Sequence, residues 1–123
     1  MTTQEVANKL VSLCRENKYE DAYNLYADDA VSIEMDGMPG EKVTKGKENI
    51  WNGYLKWAEG IEEMHGGSVG EPVVAANHFV VPMSMDATFK NQGRWAFDEL
   101  CMYEVENGKI KKAQYFYEVP TMG

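Results

Sequence analysis

Residues 94–119 read RWAFDELCMYEVENGKIKKAQYFYEV, from Arg94 to Val119, and this stretch decides the fold. Asn107-Gly108 is a strong short hairpin signal, because a type I′ turn needs positive φ at both central residues and these two types supply it most easily. Two long strands therefore pair here. Counting outward from Glu106 opposite Lys109 sets Tyr103 across from Lys112, Cys101 from Gln114, Leu100 from Tyr115 and Glu99 from Phe116. Side chains alternate along a strand, so each face can be read off. One face carries Trp95, Phe97, Glu99, Cys101, Tyr103, Val105, Ile110, Gln114 and Phe116. The other carries Leu100, Met102, Ala113, Tyr115 and Tyr117, broken by Asp98, Glu104 and Lys111. Neither reads as plain solvent surface, which predicts a mixed apolar and polar interior on one side and a partner on the other.

The chain has 123 residues, 44% of them hydrophobic, and a formal charge of −8. That length suits one domain over residues 1–123, able to bury roughly two thirds of its unfolded surface. A surplus of carboxylates argues against nucleic acid, whose phosphates need clustered Lys and Arg. The start, MTTQEVANK, has no basic segment leading into an apolar run, and no apolar stretch is long enough to span a membrane. The expected location is the cytoplasm. Cys14 and Cys101 lack CxxC spacing and read as reduced core residues.

Toward the N-terminus, Thr2 and Glu5 form a capping box ahead of Val6, Leu10, Val11 and Cys14 at helical spacing. Tyr19, Ala22, Tyr23 and Tyr26 repeat that spacing, predicting a second helix that ends at Ala27-Asp28-Asp29. Ala30–Glu34 alternates as a short strand, and Met35–Lys45, with Gly37, Pro39 and Gly40, reads as a loop. Ile50, Trp51, Tyr54, Leu55 and Ala58 share one face of a third helix from Gly46 to Glu59, with Trp57 at its margin. The period then changes to two. Ile61–His65, Ser68–Glu71, Val73–Ala76 and Phe79–Lys90 read as strands, divided by Gly66-Gly67, Pro72 and Asn77-His78. Pro82 cannot donate to a ladder and should sit at a bulge or on a non-bonded side. Three helices followed by a meander of strands make an α+β fold.

The run YEDAYNLYADDAVSIE, the helix opened by KGKENI, and the closing strands about an NGKI turn resemble the nuclear transport factor 2-like superfamily. The SnoaL-like and ketosteroid-isomerase-like proteins are the most similar members. The resemblance implies a cone, of the nuclear transport factor 2-like or cystatin-like kind, in which three N-terminal helices sit in the concavity of a strongly curved, mostly antiparallel sheet. It also implies a pocket at the open end. It sets Glu34 at the place of the steroid isomerases' general base. The isomerase tyrosine falls at about Leu10 and the oxyanion-site aspartate near Cys101, neither of which can do the same work.

Function must come from the pocket, since this fold hosts many chemistries. Glu34 ends a strand where the cone opens, and Glu99 lies between Phe97 and Cys101 on the face read as inward, so both are candidate acid/base groups. His65, just before Gly66-Gly67, is the third; an exposed glutamate is the plain alternative for the two carboxylates, and His78, beside Asn77, reads as a turn residue. Tyr23, Trp51, Tyr54, Trp57, Met83, Met85, Trp95, Cys101, Tyr103, Gln114 and Phe116 are the candidate ligand-binding residues, with ordinary core packing as the competing reading. There is no HxH, HExxH or CxxC, so no metal is expected, and no cofactor. The sequence is read as a binder of a small apolar or aromatic molecule with carboxylate chemistry of isomerase, cyclase or dehydratase type. The alternative is a non-catalytic binding or assembly module. Leu100, Met102, Tyr115 and Tyr117, taken as the outward face, predict a homodimer through the outer sheet.

Overall fold

The computed structural model of the protein describes residues 1–38 and 40–119; Pro39 of the expected loop lies outside them. Helix α1, Thr3–Arg15, begins with a reciprocal cap, the Thr2 hydroxyl accepting from the Glu5 N–H and the Glu5 carboxylate from the Thr2 N–H. It buries Val6, Ala7, Leu10, Val11 and Cys14. Helix α2, Tyr19–Tyr23, is shorter than the spacing predicts. The Ile110 N–H donates to the Leu25 carbonyl at 2.9 Å, so sheet pairing captures the chain before another helical turn can form. Tyr26 opens strand β1, Tyr26–Ile33, rather than closing a helix.

Strand β2, Val43–Lys45, pairs with β1 inside what the sequence presents as a loop. Helix α3, Lys47–Glu59, buries Ile50, whereas Leu55, expected on its inner face, is exposed. Strand β3, Ile61–Val69, runs straight through Gly66-Gly67, because Gly66 and Gly67 pair with Asp86 and Met85. The glycines accompany an irregularity between Met64 and Gly66, not a turn. Strands β4, Val73–Ala75, β5, His78–Phe89, β6, Gly93–Glu106, and β7, Lys109–Tyr117, follow.

The sheet order is β2-β1-β7-β6-β5-β3, with β4 added beside β5; among the described residues only β1 and β7 run parallel. Pro82 occupies the gap where pairing with β3 ends, at Val69 and Met83, and pairing with β4 has not begun, at Val73 and Val80. Its carbonyl still accepts from the Gly70 N–H at 2.8 Å. A residue's N–H and C=O point the same way in a strand, so the missing donor faces Gly70 at the end of the β3 ladder and not the continuous pairing with β6. Gly70 is required there, since a Cβ would lie 2.7 Å from the Pro82 ring.

Asn107 and Gly108 take φ of 53° and 76°, as the hairpin turn demands. One residue later the pairing departs from simple counting. Val105 faces Ile110, but Glu104 faces Lys112, so Lys111 is an extra residue in β7. A slip of one residue turns every following side chain over. Tyr103 therefore faces Ala113, Cys101 faces Tyr115, Leu100 faces Phe116 and Glu99 faces Tyr117. The core joins α1 and α2 to the inward residues Phe79, Val81, Cys101, Tyr103, Val105, Ile110 and Ala113, so the helices pack on one face of the curled sheet.

Candidate functional site

Glu99 lies on that inner face, half-buried, flanked across the ladder by Met83 on β5 and Tyr117 on β7. Burial pushes its carboxyl up to about 7; the negative charge of Glu34 adds to the rise and a hydrogen bond with the Cys101 thiol opposes it. Near neutral pH this group can both give and take a proton. Glu34 is the first residue beyond β1, and Ser32 beside Ala113 fixes its strand so that Glu34 also turns inward. Its Oε1 accepts from the Tyr117 hydroxyl at 2.7 Å and from the Met35 N–H at 3.0 Å. Among the described residues, neither carboxylate forms an ion pair.

Tyrosine hydroxyls furnish the deeper part of the site. Tyr26 and Tyr115 bring their oxygens to 3.5 Å, and burial raises the pKa of Tyr23, Tyr26 and Tyr115 well above the phenol range. They remain protonated and can donate. Burial likewise pushes Cys101 far above the thiol range, so it is no nucleophile.

Aromatic rings enclose this polar strip. Trp51 stacks on Tyr54 at 5.4 Å, Tyr54 meets Trp57 at 6.1 Å, and Trp57 reaches Phe89 at 6.0 Å. Phe89 touches Trp95 at 6.1 Å, and Trp95 touches Tyr117 at 5.9 Å. The chain of contacts thus runs from α3 across β5 and β6 to β7. Tyr23 joins it through Trp51 and Tyr54. Met83 and Met85 are half-buried on the same face.

Other candidates lie elsewhere. His65 is exposed on the outer face, its Nε2 2.7 Å from the Thr88 hydroxyl, because its neighbour Met64 pairs with the inward Ala87 and alternation then turns His65 the other way. Gln114 and Phe116 are also outside, carried there by the Lys111 bulge. Tyr103 belongs to the core, stacked on Phe79 at 4.8 Å. Conversely Tyr115 and Tyr117, read from sequence as outward, are inward and belong to the site. The two adjacent lysines between Ile110 and Ala113 interrupt the alternation, and that is the one local sign of the bulge.

A family model for the SnoaL-like domain matches residues 1–117. A SnoaL-like polyketide cyclase candidate from Mesorhizobium loti is 36% identical in sequence, covering 95% of this chain and 100% of that one, with a TM-score of 0.87. The chain belongs to the SnoaL-like domain family. More distant structures share the fold. A nuclear transport factor 2-like protein from Burkholderia thailandensis has 15% identity, 96% and 92% coverage and a TM-score of 0.80. A protein of ketosteroid isomerase-like fold from Catenulispora acidiphila, in complex with trimethylamine, has 17% identity, 80% and 73% coverage and a TM-score of 0.66. No curated protein matches this SnoaL-like sequence. No helix among the described residues is long and apolar enough to cross a membrane.

Proposed function

We propose that this SnoaL-like protein binds a small apolar or aromatic molecule between α3 and the inner sheet face, and moves protons on it with Glu99 and Glu34. The observation that carries this reading is the Glu99 carboxyl, half-buried beside a second carboxyl, without a basic partner among the described residues, and shifted to about 7. Glu99 would donate a proton while Glu34 accepts one, the division of labour that isomerisation, ring closure and dehydration all need. The Mesorhizobium loti protein, a polyketide cyclase candidate, is in keeping with chemistry of this kind.

A cyclic ketone with an acidic C–H tests the proposal. Deuterium uptake at the benzylic carbon of 2-tetralone, followed by NMR in heavy water, should be accelerated by the protein and lost in Glu34→Gln. Quenching of the three tryptophans by 2-naphthol reports binding alone, since Trp51, Trp57 and Trp95 all border the site. Quenching without exchange would favour the second reading, a non-catalytic binding or assembly module. That reading draws support from the rings themselves, which touch one another as closely as Trp95 and Phe97, at 4.1 Å.

We also propose that a second copy covers the outer face. Val43, Ile33, Gln114, Met102, Val80 and Val73 form one row across the sheet, each paired with the next. Phe116, Leu100 and Pro82 form an adjacent row. Leu100 is 50% and Phe116 40% exposed, more than an isolated sheet usually leaves in water. Leu100 and Met102 keep the place the sequence assigns them; Phe116 and Gln114 replace Tyr115 and Tyr117.

A further inference from the structure

Glu34 is one residue past β1, and its N–H still donates to the Lys42 carbonyl at 2.7 Å, but that backbone anchor does not select among the rotamers of its side chain. Two donors do, and both choose the same oxygen. The Tyr117 hydroxyl at 2.7 Å and the Met35 N–H at 3.0 Å converge on Oε1, while Oε2 accepts no hydrogen bond among the described residues. A carboxylate has about four lone-pair positions over its two oxygens, so this arrangement saturates one oxygen and leaves the other open.

Tyr117 is itself fixed from two directions. Its ring contacts Trp95 at 5.9 Å and Phe97 at 5.6 Å, and its backbone pairs with Glu99. The hydroxyl is thereby delivered from the strand that also borders the second carboxyl.

We infer that Tyr117 is a positioning residue: by occupying Oε1 of Glu34, it locks that side chain beside Glu99 and reserves Oε2 as the oxygen that exchanges protons with a bound molecule. The inference rests on the acid/base role proposed for Glu34. Tyr117 does not compete as a base, because burial, its bond to Glu34 and the charges of Glu34 and Glu99 all oppose loss of its proton. At 2.7 Å the bond has the usual length for one hydroxyl donating to an oxygen, so it fixes the geometry of the acceptor.

Side-chain NMR tests the assignment without any substrate. In the wild type the two Glu34 Cγ protons, assigned through Glu34→Gln, should be inequivalent; in Tyr117→Phe, which keeps the ring against Trp95 and Phe97 but removes the hydroxyl, their shift difference should collapse as the side chain averages over rotamers. Tyr117→Leu should give the same collapse if Tyr117→Phe folds poorly. The 2-tetralone exchange rate at saturating ketone should fall about tenfold in the same variant, with KM unchanged. A Glu34 side chain as ordered in a folded variant as in the wild type overturns the inference. An averaged side chain with no 2-tetralone exchange in any variant supports the positioning role and removes the acid/base reading; normal exchange with an ordered side chain does the reverse.

Discussion

Glu99 stands directly opposite Tyr117, not opposite Phe116, and the difference is one residue, Lys111, inserted in β7. Through that insertion the inner face gains a phenol that reaches Glu34, and the outer face gains Phe116. Deleting Lys111 should therefore leave the pairs Cys101–Tyr115 and Glu99–Tyr117 intact, with a loss of stability on the order of 1 kcal/mol. Deleting Gln114 should instead send Tyr115 to the wrong face and cost more than about 3 kcal/mol, enough to unfold many domains of this size. Urea denaturation of the two variants compares them; equal losses would contradict the bulge.

The raised pKa of Glu99 has a definite sign in stability. The folded state holds this proton between the ordinary carboxyl value of 4.5 and about 7, whereas the unfolded chain has released it. Stability from this group therefore falls as pH rises through that window and stays lowered above it. Glu99→Gln keeps the shape and removes the charge. It should change little near pH 4 and stabilise the protein at pH 8, by on the order of 2 kcal/mol. Thermal melts of both proteins at the two pH values decide the matter, and a variant equally or less stable at pH 8 would count against a desolvated carboxyl.

The two faces of β7 should respond differently to the same substitution. Phe116→Glu places a charge in the outer apolar band, and light scattering should then give half the mass of a wild-type dimer, with the fold retained. Tyr115→Glu buries a charge beside Cys101 and Tyr26, so circular dichroism should report loss of structure instead. A wild-type protein that scatters as a monomer at micromolar concentration would remove the dimer proposal and leave the two faces as assigned.

Much of this molecule is legible locally. Asn107-Gly108 dictates the hairpin, because few residue pairs tolerate positive φ at both turn positions, and the alternation from Trp95 to Val105 identifies the inward face of β6 with Glu99 on it. Thr2 and Glu5 mark the first helix by their reciprocal cap, and the order of helices and strands suffices for the resemblance to the superfamily. What local pattern could not supply was the face of β7, the early start of β1 and the outward turn of His65. Each depends on a partner distant in sequence: Ile110 binds the Leu25 carbonyl, Ala113 pairs with Ser32, and Thr88 holds His65. A strand repeats every two residues, so one residue inserted to satisfy those distant partners reverses everything beyond it. Glu34 and Glu99 are separate candidates in the chain; only the fold sets them on one face, joined through Tyr117.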